Sequence, residues 1–226
     1  MRYLFLILIL LEPAINSLAQ FNGILHYQSH YDSQLGTGTV YTTFYVSGNK
    51  VRVESRNAQT KSALGSPSTK DQNPLIFDFS VNKETHIAPE RKMAMVMNFI
   101  TIMQENMMQV NPSDIMIENS GTEQVDNFSC THFVITQKFP RIPNRVVKRD
   151  VWITKDLGGG NLYYVGSYLY HPKGSIIANK ILAAGGNGIV VKWATEGTSA
   201  DLVGVEKKSL PGSTFAVPTG YTVMQR

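Results

Sequence analysis

Seven of the nine methionines fall between Met93 and Met116. Met93, Met95 and Met97 stand two apart, the spacing that puts side chains on one face of a strand. Phe99, Met103, Met107 and Val110 follow at intervals of four, four and three, which is one face of a helix. Thioethers are flexible and polarizable, so such a surface suits varied apolar ligands. With the strand as floor and the helix as cover, Met93, Met95, Met97, Phe99, Met103, Met107 and Val110 would line a cavity between them. Ordinary core packing uses the same residue types and is the competing explanation. Met103 and Met107 also have a spacing that permits Cu(I), but no histidine or cysteine lies near them in sequence.

Other chemistries fare less well. His26 and His30 would pair on a metal if helical, but their segment alternates as a strand and sets them about 13 Å apart. His86, His132 and His171 are isolated. Cys130 is the only cysteine, so no disulfide is available, and a lone thiol of this kind is usually a small buried hydrophobe. Lys138, Arg141, Arg145, Lys148 and Arg149 occur within twelve residues that contain no acid. They could contact anionic headgroups or an acidic partner, or form a solvated loop. There is no Gly-x-Ser-x-Gly, no His-Glu-x-x-His and no phosphate loop, so the reading is non-enzymatic with no cofactor and no metal. A net charge of +4 is too modest to point to nucleic acid.

The elements that must position these residues read mostly as strands. Phe21 to Tyr31 alternates, Val40 to Val46 is rich in β-branched and aromatic residues, and Gly48-Asn49 turns the chain into a third strand at Val51. Residues 57–73 are polar and small, and read as a long mobile loop. Leu75 to Phe79, Thr85 to Ala88 and Lys92 to Met97 are joined by short turns and should be antiparallel neighbours. After the helix ending at Asn111-Pro112, strands are expected at 114–118, 128–138, 146–154, 189–195, 200–209 and 215–224. A short helix fits 175–184, and 162–170 fits helix or strand. The sum is an α+β, mainly β domain of about ten antiparallel strands with two or three helices.

Residues 1–19 carry an export signature. Met1-Arg2 is followed by the apolar run Tyr3 to Leu11 and by Ser17-Leu18-Ala19, with cleavage expected between Ala19 and Gln20. The run is too short to span a bilayer, so the expectation is a signal peptide at 1–19 and one β-rich domain at 20–226. The mature chain, with no transmembrane segment, is expected to be periplasmic or secreted.

Five stretches carry a family resemblance. They are Gly48-Asn49-Lys50-Val51-Arg52-Val53-Glu54, Glu90-Arg91-Lys92-Met93 and Phe128-Ser129-Cys130-Thr131-His132-Phe133, then Trp152-Ile153-Thr154-Lys155-Asp156-Leu157 and Phe215-Ala216-Val217-Pro218-Thr219-Gly220-Tyr221. In order and spacing they resemble the exported bacterial family called domain of unknown function 4412, typical of Bacteroidetes-type bacteria. That family looks similar in fold to LolA-like periplasmic lipoprotein carriers. The resemblance implies a curved antiparallel sheet, an open half-barrel, with helices across a concave side that can hold lipid or acyl chains. Two features depart from it: the mature chain starts with a strand rather than a helix, and Asn127-Phe128 replaces the more usual Gly-Tyr. The family supplies no catalytic residues. A lipid-binding envelope protein is therefore one expectation; the other is an envelope interaction protein with a filled core and a protein partner.

Overall fold

The computed structural model describes residues 20–33, 36–62, 69–98, 111–139, 145–159 and 176–225. The strands are β1 (Gly23–Ser33), β2 (Gly36–Ser47), β3 (Lys50–Ser62), β4 (Thr69–Asp71), β5 (Leu75–Asp78), β6 (Lys83–Ala88) and β7 (Met93–Asn98). After them come β8 (Ile115–Val125), β9 (Phe128–Lys138), β10 (Val146–Thr154), helix α1 (Ile176–Ala183), β11 (Ile189–Thr195), β12 (Thr198–Lys207) and β13 (Thr222–Gln225). All strands join one sheet in the order β13-β7-β6-β5-β3-β2-β1-β12-β11-β10-β9-β8, with β4 attached to β3. Among the described residues the two ends do not pair, so the sheet is open. A sheet this wide curls rather than lying flat.

The alternation of β1 sets the two faces. Leu25, Tyr27 and Ser29 are buried on one side, while His26, Gln28 and His30 point to the other. Register carries that division outward: Leu25 pairs with Phe44, Phe44 with Val53, and Val53 with Leu75. On the far side of β1 the same face holds Leu202, Trp193, Val151, Phe133 and Ile135. These buried side chains form one apolar cluster. Each fully buried large member contributes roughly 1.5–3 kcal/mol. We call this side the inner face.

Helix α1 lies against the inner face, with Ala178 and Ile181 fully buried. Its C-terminus closes on two glycines. Gly185 takes φ +90°, and the Gly186 amide donates to the Ile181 carbonyl at 2.8 Å. A Cβ on Gly186 would lie 2.4 Å from Ile181 Cγ2 and 2.9 Å from Phe133 Cε2, so only glycine lets this turn sit against β9.

The outer face is covered in part by the chain's own end. Residues 208–221 run from β12 to β13 across the outer face, where the Thr214 carbonyl accepts from Arg52 Nη1 at 3.3 Å. Register puts Ile24, Ile76, Ile87 and Ala94 on this side, and all four are buried. The strap ends in β13, which pairs parallel to β7.

Several expectations need correction. Residues 57–62 and 69–71 are strand, not loop: the long β2 supplies backbone partners as far as Ser62, and β3 in turn pairs with β4. Backbone pairing outweighs the polar composition there. The stretch 215–224 is not one antiparallel strand. Pro218 and Gly220 interrupt it, and only Thr222–Gln225 joins the sheet, in parallel. Strand β8 runs on past Glu118 to Val125, because Gly121 (φ +110°) absorbs a bulge and pairing resumes. Helix 175–184 is found at Ile176–Ala183, the one α-helix among the described residues. The expected signal at 1–19, the helix through 99–110 and the segment 162–170 lie outside the described residues.

Candidate functional site at the inner face

Strand β7 is a continuous apolar run, Met93 to Met97, behind a sharp turn. Pro89–Arg91 makes one turn of 3-10 helix, and Lys92 follows in the left-handed region (φ 48°) before Met93 enters the sheet. The turn lays β7 antiparallel on β6, with Met93 opposite Ala88, Met95 opposite His86 and Met97 opposite Glu84. His86 in turn faces Leu75, and Glu84 faces Phe77. Met93, Met95 and Met97 therefore stand on the inner face, in the same rows as Leu75, Phe77, Val51 and Val46.

Burial grades along these rows. Val46, Val51 and Phe77 are buried, Leu75 and the three methionines are half-buried, and Ala94 on the opposite side of β7 is fully buried. Phe77 and Phe79 stack with ring centroids 6.0 Å apart. Polar groups interrupt the row once: His86 Nε2 lies 2.5 Å from Glu84 Oε1. The sequence points to the methionines and, through the expected antiparallel order of Leu75 to Phe79, Thr85 to Ala88 and Lys92 to Met97, to the strand of Leu75 and Phe77 beside them. It does not point to the His86–Glu84 pair. Phe99, Met103, Met107 and Val110 lie outside the described residues.

The described members of the basic run do not form one patch. Lys138 and Lys148 are exposed on the outer face, and the Arg145 guanidinium lies 5.3 Å from the Phe139 ring centroid. Arg149 is different. It pairs with Ile135 and Thr195 on the inner face, and its Nη1 donates to Oε1 of the buried Gln137 at 2.8 Å. Gln137 pairs with Ile115, whose carbonyl accepts from Lys180 Nζ of α1 at 2.8 Å. Arg141 lies outside the described residues.

Other polar groups have structural work. His26 Nδ1 is 3.2 Å from Thr43 Oγ1 and its Nε2 is 3.1 Å from Glu206 Oε1, while His30 bonds Thr39 and Gln28. The His132 ring stacks on Trp152 at 4.4 Å and bonds Asp150 at 2.8 Å; Lys192 Nζ lies 5.5 Å from the other ring system of this stack, that of Trp152. Cys130 is fully buried, and that burial, with the Asp156 and Glu123 carboxylates, pushes its thiol up to about 11. It is a packing residue rather than a nucleophile. Among the described residues no group of three or more His, Cys, Asp or Glu could hold a metal ion, and no helix is long and apolar enough to cross a membrane.

Comparison with known proteins adds a family. The family described as "Domain of unknown function (DUF4412)" matches residues 21–221. No curated protein matches the sequence. Among solved structures, Mycobacterium tuberculosis lipoprotein LppX shares 13% identity over 84% of this chain and 88% of its own, with a TM-score of 0.35. A LolA superfamily protein from Nitrosomonas europaea shares 10% identity over 87% of this chain and 90% of its own, with a TM-score of 0.33. Overlaps at these scores carry no argument about ligand or function.

Proposed function

For this chain, which belongs to the family described as domain of unknown function 4412, we propose an exported, non-enzymatic envelope protein that binds a lipid or another apolar ligand on the inner face of its half-barrel. The observation that carries this reading is the row Met93, Met95 and Met97. It continues the buried apolar rows of Leu75 and Phe77 but is itself only half-buried. A half-buried thioether surface adapts to ligands of varied shape. In this reading residues 1–19 are the signal peptide, residues 20–226 one β-rich domain, and the mature protein is periplasmic or secreted.

The test is native mass spectrometry of protein purified from its own envelope, followed by titration of the delipidated protein with 1-oleoylglycerol. Binding is expected, together with its loss on Met93→Gln/Met95→Gln/Met97→Gln, with circular dichroism unchanged. Absence of co-purified lipid together with no uptake of 1-oleoylglycerol would overturn the reading. The alternative is an envelope interaction protein with a filled core. It is favoured by one observation: α1 packs Ala178 and Ile181 into the inner face against β8 and β9, leaving that half occupied by the protein's own side chains.

A further inference from the structure

We infer that His86 and the methionines around it form a binding site for a Cu(I) ion on the inner face, at the β13 end of the sheet. Three strands build it, with Met95 at the centre. On one side β6 sets His86 directly opposite Met95. On the other side β13 sets Met224 opposite the same residue. Met93 and Met97 come before and after Met95 on the same face, each about 7 Å along the strand. Opposed side chains on neighbouring strands start about 5 Å apart, and a methionine has three further bonds to turn about. One ion is thus within reach of Met95, His86 and at least one more of the three sulfurs. Met224 is the only methionine after Met116, and the strap brings it back from the far end of the chain to the middle of this row.

The donor set selects the metal. Thioethers are soft ligands that favour Cu(I), and imidazole suits copper as well. Zn(II) takes thiolate, imidazole and carboxylate, and His86 with Glu84 supplies only two such groups here. Cross-strand pairing thus gives Met93, Met95 and Met97 the histidine that their sequence neighbours lack. His86 is hard to account for as packing. Its Nε2 is buried and lies 2.5 Å from Glu84 Oε1, yet the two do not meet in hydrogen-bond geometry. Among the described residues the ring makes no other polar contact. Metal-bound imidazoles set their second nitrogen against a carboxylate or a carbonyl, and Glu84 stands in that position. The sulfurs are not sealed in the core: Met93, Met95 and Met97 are half-buried and Met224 is 39% exposed. The site shares three methionines with the apolar surface proposed above but does not depend on that reading.

Anaerobic titration with Cu(I) held by the chelator bicinchoninate tests the site, because transfer to the protein bleaches the chelator complex. Transfer is expected, with sulfur and nitrogen neighbours in the copper X-ray absorption spectrum. Met95→Leu removes the central sulfur while keeping volume and apolar character, so the fold should persist by circular dichroism. It should weaken Cu(I) binding at least about tenfold, the loss that even an outer partner of a metal ligand brings. His86→Gln should do the same, and so should Met93→Leu/Met97→Leu/Met224→Leu, which leaves Met95 and His86 alone. None of these changes should alter binding of 1-oleoylglycerol, since leucine preserves the apolar surface. Met116→Leu, at the opposite end of the sheet, should leave Cu(I) binding unchanged. No transfer from the chelator would overturn the site, as would transfer unchanged in either Met95→Leu or His86→Gln. Cu(I) binding without 1-oleoylglycerol binding keeps the site and removes the apolar-ligand reading. The converse removes the site and leaves the apolar reading standing.

Discussion

Tyr27→Phe removes one oxygen from the centre of the sheet and tests how its middle is held. The ladder between β11 and β12 runs only from Lys192–Asp201 to Thr195–Thr198. At Val190 the two strands have parted, and Tyr27 on β1 reaches past β12 to donate its hydroxyl to the Val190 carbonyl at 2.7 Å. Donor and acceptor are both buried, at 2% and 1% exposure, so water cannot replace the lost partner. Burial also raises the phenol's pKa, which keeps it a neutral donor across the working pH range. Phenylalanine preserves the ring and its edge-to-face contact with Phe44 (5.5 Å, 77°). The loss is therefore one hydrogen bond plus a stranded carbonyl, about 1–3 kcal/mol. For a chain of this size that lowers Tm by about 2–4 °C per kcal/mol. Urea denaturation should show a lower midpoint at unchanged slope. Amide exchange should quicken first at 189–191. A destabilisation below about 0.5 kcal/mol would refute the argument that this hydroxyl substitutes for a missing strand pair. So would uniform exchange with no local effect at 189–191.

Two further outcomes test other parts of the fold. Cys130 should resist a charged thiol reagent at neutral pH and react fully once denatured, because it is buried and its thiol is pushed up to about 11; fast reaction of the native protein would contradict its placement. Burial tends to raise the Asp78 carboxyl, but the Ser80 hydroxyl and amide and Lys50 Nζ (3.4 Å) hold it below its ordinary value. A lowered folded pKa gives stability that is present above the unfolded carboxylate range and lost as pH falls through the folded value. Asp78→Asn should thus destabilise at neutral pH and converge with wild type in acid, measured by denaturation across pH; a constant difference would remove the linkage.

How much of this is legible in the sequence depends on period and on partners. The hairpins from Leu75 to Met97 are readable because short turns between short apolar runs leave one arrangement, and the period-two geometry of a strand puts Met93, Met95 and Met97 on one face. Residues 57–62 are not readable, since their place in the sheet comes from β2, and composition does not encode a partner's backbone. For Arg149 the signal is present but easily passed over. Treating Lys138 to Arg149 as a run of charge ignores the period-two pattern Val147, Arg149, Val151, which separates Arg149 from Lys148. The pairing of Gln137 with Arg149 comes from the register of β9 on β10 and the approach of Lys180 from α1 crossing the sheet, and no local spacing announces either. The stretch Phe215 to Tyr221, part of the family resemblance, belongs to the strap over the outer face and not to the inner face.

The position of β1 has a consequence for how the molecule is assembled. It is a central strand, yet one of its two neighbours is β12, with Gly23 opposite Lys207. Contacts this distant in sequence are slow to form, because a long loop must close first. A chain emerging N-terminus first cannot zip that seam until nearly its whole length is available. Until then the half-sheets on either side of β1 remain separate, and they lock into one sheet only when β12 arrives.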